Sequence, residues 1–204
     1  MTADNDTIQR LLTFDNRSLT VLQELAALFG EMQRAMRDLA SRNHELELLA
    51  TTDSLTGLAN RRGFEDDLGR EEARARREHG SAAVVALDVR KLKTVNDSYG
   101  HGVGDDLLRA VGFALRGCAR KSDVVARLGG DEFAALLPGA SRAGGEIFVE
   151  RVRSSVRSLL LPAGTIVSVQ LSAGVAVREE ADSLQEAYQL ADGRLLLDKQ
   201  RASA

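Results

Sequence analysis

Apolar positions in the first fifty residues recur at alternating steps of three and four: Leu22, Leu25, Phe29, Met32, Met36, Leu39, then Asn43, Leu46 and Ala50. So narrow a stripe is the heptad period of a coiled coil, not the broader face of a helix packed on a globule. No proline interrupts Met1 to Ala50. Weaker matches at Ile8 and Leu11 extend the register toward the N-terminus, but Asp15 and Ser18 then fall on the seam and predict fraying or a register change. With Leu22 at an a position, Asn43 also stands at a. A lone asparagine there either fixes two parallel strands in register or marks a weak point near the coil's end. A helix of about 40 residues spans roughly 60 Å, and its stripe needs a partner. Residues 1–50 therefore predict a long N-terminal helix that forms a homodimer through a parallel coiled coil.

The pattern changes at Thr51-Thr52-Asp53, and Gly57 signals a turn. Residues 51–204 read as a compact domain. Arg61 to His79 predicts a charged helix with Phe64 and Leu68 inward. Ala82 to Val89 is an apolar, β-rich run and predicts a buried strand. Gly104 to Ala119 predicts an amphipathic helix. Val124 to Leu128 and Phe133 to Leu137 flank Gly129-Gly130, a strong hairpin signal because glycine takes positive φ freely. Gly145 to Leu161 predicts a helix, Ile166 to Val177 two more strand segments, and Ser183 to Lys199 a last helix opened by a Ser183/Glu186 capping box. Helices interleaved with a partly antiparallel sheet give an α/β sandwich of about five strands with flanking helices.

Composition narrows the class. The 204 residues carry 27 Lys+Arg and 30 Asp+Glu, for a formal charge of -3. That balance argues against a nucleic-acid polymer as partner, which usually needs a basic face. No apolar run approaches the ~20 residues of a membrane span, and Met1 to Arg10 does not resemble a signal peptide. The single cysteine, Cys118, follows Leu107, Val111 and Leu115 at helical spacing and reads as a small core residue. One cysteine fits a reducing compartment, so the chain is expected to be cytoplasmic, with no membrane segment.

Candidate chemistry gathers at two places. Asp88 ends the most apolar strand, and Asp131-Glu132 sits on the tip of the tight hairpin. If the hairpin pairs with that strand, the carboxylates converge. Clustered carboxylates without nearby His or Cys suit a hard, oxygen-preferring ion such as Mg2+, which takes one or two carboxylates plus substrate phosphates. Each residue also has a plainer reading: Asp131 as a turn former, Asp88 as a strand-end cap.

Arg127-Leu128-Gly129-Gly130-Asp131-Glu132-Phe133 resembles the signature of the GGDEF family, the diguanylate cyclases. The resemblance extends from Asp53 to Lys199. It includes Asp53-Ser54-Leu55-Thr56-Gly57-Leu58-Ala59-Asn60-Arg61-Arg62, Asn96-Asp97, Gly100-His101-Gly102-Val103-Gly104-Asp105, Ser172-Ala173-Gly174-Val175-Ala176, and Ala191-Asp192 with Lys199. It implies a palm-like nucleotidyl-cyclase fold and a homodimer that condenses two GTP into cyclic di-GMP, releasing pyrophosphate. It implies metal ligation by Asp88, the Val89 carbonyl and Asp131, with two Mg2+ (or Mn2+) in each half-site. Glu132 would ligate a metal or activate the attacking hydroxyl. Gly129 and Gly130 would let GTP lie across the hairpin, Asn96 and Asp105 would read guanine, and Lys93 and Lys199 would meet phosphates. Arg120 and Asp123, in Arg120-Lys121-Ser122-Asp123, resemble the family's inhibitory product site, with Arg151 as its auxiliary arginine.

The sequence departs from the family pattern in places. Arg90 stands where many members carry a second Asp, and Lys91 replaces a common aromatic. Leu196 and Asp198 replace a frequent Tyr and Ala, and Ser203 takes the place of a tail arginine for which Arg201 is a substitute. A weakened tail leaves a second expectation, a receptor that binds cyclic di-GMP through Arg120 and Asp123 and signals through the coil.

Overall fold

The computed structural model describes residues 21, 23, 25, 27–42, 47–161, 164 and 166–201. The chain divides into two units, Met1–Leu48 and Leu49–Ala204. In the first, residues 27–42 form a helix, α1. Leu25, Phe29, Met32, Met36 and Leu39, the seam positions described in this unit, are all exposed. Ile8, Leu11, Asp15, Ser18, Leu22, Asn43 and Leu46 lie outside the described residues.

The second unit is a layered α/β domain. Its elements run α2 (Arg61–Glu78), β1 (Ala82–Val89), α3 (Leu92–Tyr99), α4 (His101–Cys118), β2 (Val124–Gly129), β3 (Glu132–Pro138) and α5 (Arg142–Val156). There follow β4 (Leu159–Leu160), β5 (Ile166–Val167), β6 (Leu171–Val177), a short 3-10 turn (Arg178–Glu180) and α6 (Leu184–Arg201). The main sheet is antiparallel, in the order β2-β3-β1-β6.

Strand β1 is buried along its whole length because both sheet faces are covered. Alternation sends Ala83, Val85, Leu87 and Val89 to one face, against Leu107, Val111 and Leu115 of α4 and Phe148 and Val152 of α5. Ala82, Val84 and Ala86 face the other way, against Phe64 and Leu68 of α2 and Ala187, Ala191 and Leu195 of α6. That second face is built from small residues, so α6 lies close. A Cβ on Gly174 of β6 would stand 2.0 Å from the Ala191 carbonyl oxygen. Asp88 continues the alternation onto this face and so meets α6.

The sheet has four strands, fewer than the pattern predicts, because Ile166–Val167 pairs with Leu159–Leu160 in a separate ribbon. The predicted helix from Gly145 to Leu161 is also corrected. It starts earlier, capped by Ser141, whose hydroxyl accepts from the Gly144 N–H at 3.3 Å, and stops at Val156. Leu159 and Leu160 continue an apolar helical pattern, so periodicity hides the change to extended backbone. Helix α3 is absent from the sequence expectation. The Ser183/Glu186 cap is present: the Glu186 N–H donates to the Ser183 hydroxyl at 3.2 Å, although the Glu186 carboxylate accepts from Asp182 N–H rather than from Ser183. Cys118 is half-buried, packs beside the core, and lies 3.6 Å from the Ser155 hydroxyl.

Candidate functional site

Register brings the carboxylates together. In the β1–β3 ladder Asp88 stands opposite Glu132. The two-residue turn Gly130-Asp131 closes the β2–β3 hairpin, with Gly129 at φ 141° and Gly130 at φ 53°, where an L side chain would be strained. The hairpin tip is tied to the strand end because the Val89 N–H donates to the Asp131 carbonyl at 3.0 Å. Asp88 is only 5% exposed. Burial raises its pKa, and the charge of Asp131 adds to this; Lys199 opposes both, its Nζ donating to Asp88 Oδ2 at 2.6 Å. The structure thus places Lys199 on the carboxylate the sequence assigned to metal. Glu132 is exposed and sits 3.4 Å from an Arg61 nitrogen, a solvent-facing pair worth under ~1 kcal/mol.

Among the described residues no three His, Cys, Asp or Glu side chains group closely enough to cage a metal by themselves. Asp88, Asp131 and the Val89 carbonyl at one strand end nevertheless offer hard oxygens, and the raised pKa of Asp88 is what a positive charge would relieve. That donor set fits an ion such as Mg2+, which completes its shell with water and phosphate oxygens.

A second polar cluster lies where α3 meets α4. Gly100, at φ 85°, ends α3, and its N–H donates to the Asn96 carbonyl at 2.8 Å. The Asn96 Oδ1 is buried without a hydrogen-bond partner among the described residues. It packs on Gly104, where a Cβ would be only 1.8 Å away. Asp105, half-buried, follows Gly104 directly, so Asn96 and Asp105 share this junction. Helix α3 separates the junction from Asp88. Its eight residues span about 12 Å, the scale of a nucleotide from base to phosphates. Lys93 is exposed on its first turn.

Sequence reasoning missed how the hairpin is held. The Arg127 guanidinium donates to both Asp53 carboxylate oxygens at 3.1 and 3.2 Å, and to the Gly130 carbonyl at 2.8 and 3.1 Å. Asp53 also accepts from the Thr56 hydroxyl at 2.6 Å and the Thr56 N–H at 2.9 Å. Burial pushes the Asp53 pKa up, but Thr56 and Arg127 outweigh it and leave it lowered. The segment before α2 is therefore braced to the turn that carries Asp131. Lys91, noted in the sequence only as a departure from the family pattern, takes a left-handed φ of 61° two residues past the end of β1. No pattern of apolar positions signals either feature.

The third predicted group comes together at the far end of α4. The Asp123 carboxylate accepts from the Arg120 N–H at 2.8 Å and closes a tight turn. Arg151 on α5 reaches this end, donating to the Cys118 carbonyl at 3.0 Å. The Arg120 guanidinium makes no ion pair among the described residues and faces solvent.

Comparison with known proteins gives the site its family. Residues 50–203 match the model of the diguanylate cyclase GGDEF domain. Diguanylate cyclase DosC of Escherichia coli is 34% identical over 203 residues, which cover 97% of this chain and 43% of DosC. Diguanylate cyclase DgcP of Pseudomonas aeruginosa is 33% identical over 175 residues, covering 85% of this chain and 26% of DgcP. The chain thus spans less than half the length of these relatives. Among solved structures, the coiled coil and GGDEF domain of DgcB from Caulobacter crescentus, in complex with c-di-GMP, matches with a TM-score of 0.78 at 28% identity, covering 86% of this chain and 94% of that one. The GGDEF domain of TpbB from Pseudomonas aeruginosa matches with a TM-score of 0.70 at 38% identity, covering 74% of this chain and 89% of that one. On the domain match and the extent of these identities, the chain belongs to the GGDEF diguanylate cyclase family.

Proposed function

We propose that this chain is itself a diguanylate cyclase, condensing two GTP into cyclic di-GMP with release of two pyrophosphates. The observation that carries the reading is the meeting of Asp88 with the hairpin tip at Asp131, one short helix away from Asn96 and Asp105. A carboxylate such as Asp105 accepts both N1–H and N2–H of guanine; adenine offers no such pair. A buried Asn96 Oδ1 without a partner is a second acceptor waiting for a donor. Sites built this way reject the wrong base strongly, since it leaves polar groups unpaired.

The reaction joins the 3′-oxygen of one GTP to the α-phosphorus of the other, breaks the bond to pyrophosphate, and repeats in the opposite sense. Phosphoryl transfer asks the protein for in-line placement and charge neutralisation. Asp88, the Val89 carbonyl and Asp131 would hold divalent ions, Mg2+ or Mn2+, with Glu132 completing the set or taking the proton of the attacking hydroxyl. When bound, the ions neutralise developing charge on the phosphates. Gly129 and Gly130 leave room for the nucleotide against the hairpin. Lys93 binds phosphate, and Lys199 moves from Asp88 to the phosphates when the carboxylate is otherwise engaged.

One domain holds one GTP, so two chains must face each other. The exposed stripe from Leu25 to Leu39 supports a parallel homodimer that raises the effective concentration of the second half-site. Arg120, Asp123 and Arg151 form a product-binding site that gives feedback inhibition. Arg120→Ala should relieve inhibition by added cyclic di-GMP about tenfold while synthesis continues; unchanged sensitivity would remove this site. For the reaction itself, the variant to test is Asp131→Ala. With GTP and Mg2+ it should lose at least about 1000-fold in synthesis, as expected when a charge-stabilising group goes. Retained synthesis would refute the assignment of the hairpin tip.

A further inference from the structure

Strand register sets three side chains in one row across the sheet: Glu132 of β3, Asp88 of β1 and Ser172 of β6. Directly opposed residues of an antiparallel ladder share a face, with Cβ atoms about 5 Å apart. Asp88 therefore has two unlike neighbours. On one flank stands Glu132, exposed, whose ionised carboxylate only accepts hydrogen bonds. On the other stands Ser172, 1% exposed, whose hydroxyl has no hydrogen-bond partner among the described residues. The alternation that presses Gly174 against α6 turns Ser172 to the same side.

Packing alone does not ask for a serine there. The same face is filled with alanines, Ala86, Ala134 and Ala176, and alanine would fill the space without burying an unmatched hydroxyl. Such a group is destabilising where it stays unpaired, so its retention calls for a partner. Its place is also held from both sides. Arg153 donates to the Leu171 carbonyl at 3.2 Å, and Asp198 accepts from the Ala173 N–H at 3.0 Å and from Arg153 at 2.9 Å. Asp198, a departure from the family pattern, immediately precedes Lys199, which donates to Asp88 Oδ2 at 2.6 Å. The turn of α6 that fixes the backbone beside Ser172 thus also carries the lysine on Asp88. When Lys199 turns to phosphate, Asp88 remains buried and loses that donor. Of its two opposed neighbours, only Ser172 has a proton to offer.

We infer that Ser172 is a positioning residue for Asp88. Its hydroxyl donates to the carboxylate once Lys199 has left, and so fixes which way the oxygens face when Asp88 holds a divalent ion. The inference rests on the metal role proposed for Asp88. It assigns Ser172 no contact with metal or nucleotide.

The test is calorimetric titration of the 204-residue chain with 3′-deoxy-GTP, which lacks the attacking hydroxyl, once with saturating Mn2+ and once with EDTA. Ser172→Ala should weaken the Mn2+-loaded nucleotide about tenfold, as expected when a group behind a metal ligand is lost, and leave the metal-free nucleotide within about twofold of the unaltered chain. Ser172→Cys, similar in size and a weak donor, should restore part of the loss. Urea unfolding of Ser172→Ala should show stability equal to or above that of the unaltered chain, since an unpaired buried hydroxyl is removed. Mn2+-loaded nucleotide bound equally well by Ser172→Ala would overturn the inference, as would equal weakening with and without the metal, or a Ser172→Cys chain no better than Ser172→Ala. An unaltered chain that binds the nucleotide no more tightly with Mn2+ than without it removes the metal role of Asp88 itself, and the inference with it.

Discussion

A methyl group on Gly104 would sit 1.8 Å from Asn96 Oδ1, an overlap that only a shift of the Asn96 amide can relieve cheaply. Gly104→Ala must therefore push Asn96 away from the α3–α4 junction. If that amide reads guanine, the variant should raise the KM for GTP roughly tenfold, the cost of one lost polar contact, and change kcat less. Steady-state kinetics checks this, and an unchanged KM would remove Asn96 from base recognition. Asn96 and Asp105 were readable through the family pattern and not from apolar spacing, since Asn96 sits in a helix that the spacing does not show. Asp53 and Arg127 were equally visible but silent. They lie 74 residues apart, and only the folded chain pairs them.

At the level of elements, β6 shows how an exposed sheet edge is protected. The Leu171 carbonyl accepts from Arg153, the Ala173 N–H donates to Asp198, the Val175 carbonyl accepts from Arg142 and Arg194, and the Val177 N–H donates to Glu180. Charged side chains thus occupy groups that another strand would otherwise pair with. The same kind of ionic tie fastens α2 to α6. Glu72 accepts from Arg178 and Arg76 and from the Leu184 N–H at the start of α6. Arg178 chiefly, then Arg76 and Leu184, hold its pKa at about 2 against 4.5 in the unfolded chain, despite partial burial. Because the folded value is depressed, this stabilisation is complete above pH 4.5 and is lost as pH falls toward 2. Glu72→Gln should cost about 1–3 kcal/mol at neutral pH and flatten the acid side of the stability profile. Urea unfolding at neutral pH and near pH 3 checks both. Long elements such as β1 and α4 were legible because many apolar positions agree. Helix α3 was not, since only Leu92 and Val95 touch the core and no side chain caps its start.

At the scale of the whole molecule, the second unit ties its entry segment to the hairpin turn. Within the second unit, the chain just before α2 is fixed to the hairpin on several counts. The Ala59 N–H donates to the Val125 carbonyl at 3.3 Å, and the Arg127 N–H donates to the Ala59 carbonyl at 2.8 Å. Arg127 then links Asp53 to Gly130, the residue before Asp131. Asp53→Asn should weaken that brace and lower kcat roughly tenfold through misplacement of the turn, with KM for GTP nearly unchanged; a loss confined to KM would contradict a positioning role. Of the heptad reading, the structure describes a helix over residues 27–42 with Leu25, Phe29, Met32, Met36 and Leu39 exposed; whether two copies pair along it is a property of two chains.

The claim on which the rest depends is that opposed copies of this domain join two GTP. The purified 204-residue chain incubated with GTP and Mg2+ should consume two GTP for each cyclic di-GMP formed and release two pyrophosphates, with ATP left untouched, as resolved by chromatography. Intact GTP at the end of that incubation, or a product other than cyclic di-GMP, would contradict the account.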